Sequence, residues 1–155
     1  MNLKTAVFPG SFDPFTLAHE SIVRRSLPLF GKVIIGIGVN ADKKYMFPLE
    51  KREQWIREVF SNEAKVEVKS YSGLTVDFCR QNGAGYILRG IRNAADFEFE
   101  KAIAQMNRSM TPDVETLCLF SDPEFGSLSS TIIRDIIRNG GDVEKFLPAA
   151  ISRAL

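Results

Sequence analysis

Short apolar runs alternate along the chain with segments in which apolar residues recur every three or four positions. The runs are rich in Val, Ile, Leu and Phe, which is typical of parallel strands that are covered on both faces. They predict five strands, at residues 5–8, 32–39, 65–69, 86–88 and 115–120. Because a helical segment follows each of the first four runs, the strands are expected to run parallel.

Five helices and a packed tail at residues 143–155 complete the predicted elements. The helices cover residues 19–27, 74–82, 94–110 and 130–139, with a further helix that starts at residues 48–50 and buries Trp55, Ile56, Val59 and Phe60. Pro28 should end the first helix, and Gly83 and Gly140 suit the left-handed position that ends two others. The fourth helix carries apolar residues three to four apart at Ala95, Phe99, Ala102, Ile103, Met106 and Met110. The fifth is expected to face the core with Ile132, Ile133, Ile136 and Ile137.

This alternation predicts an α/β fold, a single doubly wound, Rossmann-like domain over residues 1–155 with a five-stranded parallel sheet. In such folds, ligands bind outside the carboxyl ends of the strands, where the strand order reverses. Functional residues are therefore expected directly after strands.

The composition is that of an ordinary globular domain, and it excludes several functional classes. The chain has 155 residues, 45% of them hydrophobic, so a core can form without disulfides. A net charge of +1 and a pI near 7.8 argue against a nucleic-acid-binding module, for which a pI above about 9 is usual. No run approaches the ~18 apolar residues of a membrane helix, and residues 1–4 lead into a strand rather than a signal peptide. We therefore expect a cytoplasmic protein without membrane or nucleic-acid partners.

Cysteine and histidine are too scarce for several other chemistries. Cys79, Cys118 and the single His19 are too few for a structural zinc site, and both cysteines are expected to be buried. A Ser-His-Asp or Cys-His hydrolase would need His19 as its base, but the chain has no GxSxG elbow.

Four segments that follow predicted strands carry groups suited to phosphate. They are residues 8–19, which open the first helix at His19; Lys43 and Lys44; residues 89–92, with two arginines around Gly90; and Ser127, Ser129, Ser130 and Thr131 before the fifth helix. Helix N-termini, cations and hydroxyl groups all bind anions. Taken singly, each segment also has an ordinary explanation as a turn, a solvated pair of lysines or a helix cap. Their convergence at one edge of the sheet favours a phosphate-binding site.

One glycine motif matches the dinucleotide fingerprint G-x-G-x-x-G/A but fails in its context. Gly36 and Gly38 lie inside the apolar run rather than past its end, and no helix opens after Ala41. The chain also lacks the G-x-x-x-x-G-K-[ST] sequence of a P-loop. Neither kind of nucleotide site is expected there.

Together the motifs resemble those of the nucleotidyltransferases with an H-x-G-H motif, and within them the bacterial phosphopantetheine adenylyltransferases. The matching residues are Gly10-Ser11-Phe12-Asp13-Pro14, Thr16 to His19, Lys43-Lys44-x-Met46-Phe47, Arg89-Gly90-Ile91-Arg92, residues 96–100, Met106-Asn107-Arg108, Leu128-Ser129-Ser130-Thr131, Gly141-Asp142-Val143 and Phe146-Leu147-Pro148. Their order and spacing agree over nearly the whole chain.

This resemblance implies transfer of the adenylyl group of ATP to 4′-phosphopantetheine, giving dephospho-coenzyme A and pyrophosphate. It implies Mg²⁺ and a homohexamer. Because the residues show no metal-ligand cluster, we expect the Mg²⁺ to arrive with ATP. The attacking phosphate has a second pKa near 6, so it is largely dianionic at neutral pH and needs no general base. Catalysis then rests on positioning and charge neutralisation.

The resemblance also assigns site residues by position. It implies that Ser11, Lys43, Thr75 and Arg89 bind the acceptor. It implies ATP binding by Ser11, Phe12, His19, Gly90, Ile91, Arg92, Glu100, Phe125, Gly126, Ser127, Leu128, Ser129, Ser130 and Thr131. The expected catalytic residues are His19, Lys43 and Arg92, with His19 a donor to the transition state rather than a base.

The chain departs from the family pattern at three positions. Ala18 replaces the glycine before the histidine, Ser11 replaces a threonine, and Phe125 replaces a tryptophan. Two alternative functions stay open at this point: transfer to another acceptor, such as nicotinamide mononucleotide or glycerol 3-phosphate, and a nucleotide sensor without turnover.

Overall fold

A computed structural model describes residues 4–155; residues 1–3, predicted to lead into the first strand, lie outside the described part. The strands are β1 (Thr5–Gly10), β2 (Lys32–Gly38), β3 (Val66–Tyr71), β4 (Tyr86–Ile91) and β5 (Glu115–Phe120). The helices are α1 (Leu17–Ser26), α2 (Leu49–Val59), α3 (Thr75–Gln81), α4 (Ala94–Met110), α5 (Ser130–Arg138) and α6 (Ala149–Ser152). Short 3-10 turns follow α1 and precede α5 and α6.

The five strands form one parallel sheet in the order β3-β2-β1-β4-β5. This confirms the predicted doubly wound α/β fold. The strand order reverses between β1 and β4, which pair only through Ala6 with Tyr86 and Val7 with Ile87. Beyond those pairs the two strands have no ladder with each other, so a crevice opens between their carboxyl ends.

Three predicted strands end too early, and one of them is β3, which continues through Tyr71. β1 continues through Gly10 and β4 continues through Ile91, so Arg89 and Gly90 lie inside a strand rather than after it. Because β5 pairs with β4 as far as Ile91 with Phe120, the ladder extends the strand past its apolar part. The first helix begins two residues before the predicted start, which makes His19 its third residue.

Apolar side chains fill both faces of the sheet. One cluster packs α1, α2, α5 and α6 on the face that includes Phe8 and Ile35, and a smaller one packs α3 on the face that includes Val7 and Ile34. Gly83 and Gly140 have φ of +63° and +75°, as expected for residues that end helices. Two predictions of burial are wrong: Ile132 is 49% exposed because it lies on the outer side of α5, and Cys118 is exposed on the edge strand β5.

The apolar stripe of α4 is largely uncovered. Phe99, Met106 and Met110 are 65%, 63% and 48% exposed, and Phe120 at the end of β5 is 77% exposed. No helix within residues 4–155 combines the length and apolar character needed to cross a membrane. The cytoplasmic location expected from the sequence stays a prediction.

Candidate active site

Two adjoining cavities occupy the crevice between the carboxyl ends of β1 and β4. The first, of about 320 Å³, contains His19, and we call it the His19 pocket. The second, of about 380 Å³, extends between α3 and α4, and we call it the Tyr71 pocket. Both cavities are lined by Pro9, Gly10, Ser11, Lys43, Arg89 and Glu100. The shared wall places these groups where a molecule in one pocket would meet a molecule in the other.

The loop after β1 is shaped by an aromatic ring packed under its own backbone. Phe12 is 3% exposed and has a φ of +50°, a left-handed conformation that costs energy for a non-glycine residue. A Cβ atom on Gly10 would lie 2.8 Å from the Phe12 ring, so only glycine fits there. The Ser11 hydroxyl is therefore exposed to the pockets, while the neighbouring Phe12 side chain is buried in the core.

His19 is held by a capping box at the start of α1. Its Nδ1 atom accepts a hydrogen bond from the backbone N–H of Thr16 at 2.9 Å, while the Thr16 hydroxyl accepts from the His19 N–H at 3.5 Å. The ring lies among Phe8, Phe12 and Phe15, with centroid distances of 5.1–6.2 Å.

This environment keeps the imidazole neutral. Burial, and then the positive charges of Arg89 and Arg92, lower the pKa of His19 to about 3. Since Nδ1 is an acceptor, the single ring proton of neutral His19 resides on Nε2, available to a ligand in the pocket.

A lysine and a serine meet at the shared wall although they are 32 positions apart. The Nζ atom of Lys43 donates to the Ser11 hydroxyl at 2.9 Å, and it lies 5.5 Å from the centre of the Tyr45 ring. Lys43 is exposed, so its charge is accessible to an anion. Lys44 is also exposed but lines neither pocket.

Arg89 and Glu100 form a two-pronged ion pair between β4 and α4. The Nε and Nη2 atoms donate to the two carboxylate oxygens at 2.9 and 2.6 Å, and Nη1 donates to the Pro9 carbonyl at 2.7 Å. Glu100 is 6% exposed. Every charged oxygen of Glu100 is thus occupied by Arg89, and Arg89 also bonds across the gap between β4 and β1.

Arg92 extends from the loop before α4 to the segment before α5. Its guanidinium contacts Asp96 at 3.0 Å and donates to the Leu128 carbonyl at 3.3 Å. Partial burial raises the pKa of Asp96, but the side-chain and backbone hydrogen bonds from Arg92 and the positive charges of Arg92 and Arg89 together lower it. Arg92 lines the His19 pocket.

The start of α5 supplies backbone N–H groups and three hydroxyl groups that already have partners. Ser129 caps the helix by accepting from the Ile132 N–H at 3.2 Å, and Ser130 donates to the Pro14 carbonyl at 2.8 Å. Thr131 accepts from Arg134 at 3.3 Å. The serine-rich segment is therefore tied to the loop after β1, and it lines the His19 pocket from Leu128 to Thr131.

Four residues predicted to bind ATP do not line either cavity: Ile91, Phe125, Gly126 and Ser127. Ile91 is 6% exposed because its side chain is packed at the end of β4. Phe125 ends a 3-10 turn that carries the chain away from the pocket before Leu128 returns to it. The other predicted site residues line at least one cavity, with Thr75 in the Tyr71 pocket.

Sequence reasoning missed several residues that build the site. Arg134 lines the His19 pocket and donates to the Asp13 carbonyl at 2.8 Å; its place one turn into α5 was the available signal. Asn107 lies two turns after Glu100 on the same side of α4, a spacing that could have placed it in the Tyr71 pocket. Arg52 is fully enclosed beneath the site, and nothing local in the sequence indicates this.

The pocket carboxylates are engaged by the protein itself. Asp13 accepts from the N–H groups of Met46 and Phe47 at 2.7 and 2.9 Å, while Asp96 and Glu100 are paired with arginines. Within residues 4–155, no group of three His, Cys, Asp or Glu side chains could hold a metal ion. The groups that face the cavities are donors and cations, an arrangement that binds phosphate esters and stabilises charge developing on them.

Comparisons with known proteins agree with this geometry. The cytidylyltransferase-like family matches residues 7–136. The phosphopantetheine adenylyltransferase of Flavobacterium psychrophilum is 54% identical, over 96% of this chain and 98% of that relative. The phosphopantetheine adenylyltransferase of Geotalea daltonii is 42% identical, over 100% of this chain and 96% of that relative.

Solved structures share the fold. A putative nicotinate-nucleotide adenylyltransferase from Vibrio parahaemolyticus has a TM-score of 0.70 at 21% identity and covers 97% of each chain. A bifunctional NMN adenylyltransferase/ADP ribose pyrophosphatase from Francisella tularensis has a TM-score of 0.71 at 18% identity, over 94% of this chain and 44% of that one. Given the high identity over almost its full length, the chain belongs to the cytidylyltransferase-like family and, within it, to the phosphopantetheine adenylyltransferases.

Proposed function

We propose that this chain transfers the adenylyl group of magnesium-bound ATP to the phosphate of 4′-phosphopantetheine, giving dephospho-coenzyme A and pyrophosphate. The observation that carries the proposal is the shared wall of the two pockets. Ser11, Lys43 and Arg89 all line it, so a phosphate there can face both cavities. Two substrates that react through their phosphates need this kind of meeting point.

ATP fits the His19 pocket best. Its phosphates would meet the Nε2 proton of His19, the guanidinium of Arg92 and the N-terminus of α5 at Ser130, all of which line this cavity. The N-terminus of α1 lies beside them at Ala18. Ala18 lines this cavity at the position where the family has glycine, so its side chain is larger there by one methyl group.

The acceptor fits the Tyr71 pocket. The lining of this pocket consists of the cations Lys43 and Arg89 at the shared wall, and of Tyr71, Thr75, Ile103 and Asn107 away from that wall. A pantetheine chain alternates methylene and amide groups, so apolar walls with a few polar side chains suit it. The terminal phosphate would then lie at Lys43, Ser11 and Arg89.

The reaction needs no nucleophilic side chain. An oxygen of the acceptor phosphate attacks the α-phosphorus of ATP, the new P–O bond forms, and the bond to the β-phosphate oxygen breaks in line with it. Pyrophosphate leaves with that electron pair. His19 donates a hydrogen bond to the charge that develops, while Lys43 and Arg92 neutralise it. Mg²⁺ enters as part of the nucleotide substrate and keeps several waters.

Pyrophosphate release from MgATP tests the proposal, with 4′-phosphopantetheine, nicotinamide mononucleotide and glycerol 3-phosphate as parallel acceptors. We expect release with 4′-phosphopantetheine alone. Release with one of the other acceptors would retain the mechanism and overturn the acceptor. ATP binding without release in all three reactions would favour a nucleotide sensor.

We also propose that the protein assembles as a homohexamer. The support is the family resemblance, together with the exposure of Phe99, Ile103 and Met106 on α4 and of Phe120 at the end of β5. Large exposed apolar patches mark interaction sites. Sedimentation velocity should give six times the chain mass of 17.4 kDa, and Met106→Glu should reduce it. A monomer at micromolar concentration would contradict the assembly.

A further inference from the structure

A charged side chain outside both pockets is enclosed directly beneath them. Arg52, in the first turn of α2, is 2% exposed. Its Nη1 atom donates to the Ser11 carbonyl at 2.6 Å and its Nε atom donates to the Phe47 carbonyl at 3.0 Å. One guanidinium thus connects the loop after β1 with the loop that follows β2.

The loop after β2 is held to the same support by Tyr45. The Tyr45 ring lies against the Arg52 guanidinium, 4.2 Å from its carbon to the ring centre, and the Tyr45 hydroxyl accepts from the Asn40 N–H at 2.9 Å. The Lys43 ammonium lies over the same ring at 5.5 Å. The bond from Asn40 to the Tyr45 hydroxyl thus joins the two ends of the segment that carries Lys43, and the Tyr45 ring packs on Arg52.

The neighbouring carboxylate completes the support. The Asp13 carboxylate accepts from the N–H groups of Met46 and Phe47, while Arg52 donates to the Phe47 carbonyl. The two side chains therefore fix the backbone of Met46 and Phe47 together. Burial lowers the pKa of Arg52, and the charge of Asp13 opposes that shift. The guanidinium uses two nitrogens held at a fixed spacing, Nε and Nη1, to reach the two carbonyls, whereas an ammonium group would have to reach both from one nitrogen.

We propose that Arg52 is a positioning residue for acceptor binding: through Ser11, Tyr45 and Phe47 it sets the distance between Lys43 and the Ser11 hydroxyl. This rests on the proposed function only in that the acceptor phosphate binds between Lys43 and Ser11. Arg52 itself touches neither pocket. Its effect should therefore be larger on the acceptor than on ATP, because Arg52 bonds directly to the backbone of Ser11, whereas the start of α5 is connected to it only farther along the same loop, through the Asp13 and Pro14 carbonyls.

The test compares Arg52→Gln and Arg52→Lys with Arg57→Gln on the same helix. Arg57 is a matched control because it also donates to a backbone carbonyl, that of Val68 at 3.2 Å, but lies away from both pockets. We expect Arg52→Gln to raise the KM for 4′-phosphopantetheine about tenfold, the effect of losing one strong charged hydrogen bond. The KM for ATP should change less than about twofold. Arg52→Lys should show the same split at smaller amplitude, and Arg57→Gln should show none.

Limited trypsin digestion gives a second readout that needs no substrate. Lys43 and Lys44 are exposed in the loop that Arg52 supports, so cleavage after them should be several-fold faster in Arg52→Gln at a temperature where the variant is folded. Mass spectrometry identifies the fragments that end at those residues. Arg57→Gln should be cleaved there at the wild-type rate.

Two results would overturn the positioning role. One is an Arg52→Gln variant that is cleaved in the loop at the wild-type rate and either changes the KM for ATP and for 4′-phosphopantetheine equally or only lowers the melting temperature. The other is a folded Arg52→Lys variant with wild-type KM values and a wild-type cleavage rate. If Arg52→Gln is cleaved faster but the wild-type protein has no activity on 4′-phosphopantetheine, the proposed function is contradicted. The conclusion that Arg52 supports the loop still holds in that case.

Discussion

The Nδ1 atom of His19 accepts a hydrogen bond from the backbone N–H of Thr16 at 2.9 Å, within the first turn of α1. An accepting Nδ1 carries no proton, so the only ring proton of the neutral side chain is on Nε2. The helix cap therefore selects the tautomer that can donate into the pocket. Sequence spacing predicts the T-x-x-H motif, and the Thr16 hydroxyl gives the reason for the threonine: it accepts from the His19 N–H at 3.5 Å and lies 3.2 Å from Nδ1.

The first prediction concerns the charge of His19. Its pKa is lowered to about 3 by burial and by Arg89 and Arg92, so the imidazole should show no titration between pH 5 and 8. Because the chain has a single histidine, ¹⁵N and ¹³C NMR spectra of the ring are unambiguous. A titration midpoint near pH 6.5 would show that the imidazole protonates as it does in water, and it would contradict the conclusion that His19 is a neutral donor.

The same shift sets a direction for stability. The unfolded chain takes up this proton near pH 6.5 and the folded chain only near pH 3, so the unfolded state binds more protons between those values. The contribution of His19 should therefore lower the free energy of unfolding as pH falls through that window, by at most about 1.4 kcal/mol per pH unit. His19→Gln should remove this part of the pH dependence.

The second prediction concerns the catalytic weight of His19. His19→Ala removes a donor to the developing charge, so kcat should fall by about 10²–10³ while the KM for ATP changes little. Steady-state pyrophosphate release measures both. His19→Gln, which retains an N–H donor, should keep more activity than His19→Ala. A near-normal kcat in His19→Ala would rule out the role.

The third prediction concerns the pair of Arg89 and Glu100. Glu100 is buried with both oxygens bound by Arg89, so Glu100→Gln should destabilise the fold by about 1.5–3 kcal/mol and raise the KM for the acceptor. Urea unfolding measures the first effect. Glu98→Gln, an exposed change on the same helix, is the control. If Glu100 instead contacts ATP directly, the KM for ATP will rise and stability will change little.

The fourth prediction concerns the effect on stability of replacing each of the two glycines in β2, Gly36 and Gly38. A Cβ atom on Gly36 would lie 2.9 Å from the Phe78 ring and 3.1 Å from the Tyr71 ring, which are stacked at 4.3 Å. Gly36→Ala should therefore cost about 1–3 kcal/mol through overpacking. At Gly38 the nearest atom is 3.6 Å away, so Gly38→Ala should cost much less. Equal melting temperatures for the two variants would remove the packing explanation.

Periodicity predicted the elements better than it predicted their surroundings. The positions of all five strands and the bounds of α4 follow from local patterns, because strand and helix periods depend on neighbouring residues. The apolar stripe of α4 was visible too, but a stripe has the same pattern whether it faces the core or solvent. Phe99 and Met106 are exposed because the sheet meets a different side of α4, on which Glu100 is buried and paired with Arg89 of β4.

The sequence by itself determined the α/β class, the left-handed helix ends at Gly83 and Gly140, and the segments that carry His19, Lys43 and Arg92. These properties depend on residues that are close along the chain. Only the tertiary structure decided which groups meet: Lys43 with Ser11, Arg89 with Glu100 and Pro9, and Arg52 with Ser11. Such contacts join residues 11 to 80 positions apart, and they follow from strand order and helix packing, which no local pattern encodes.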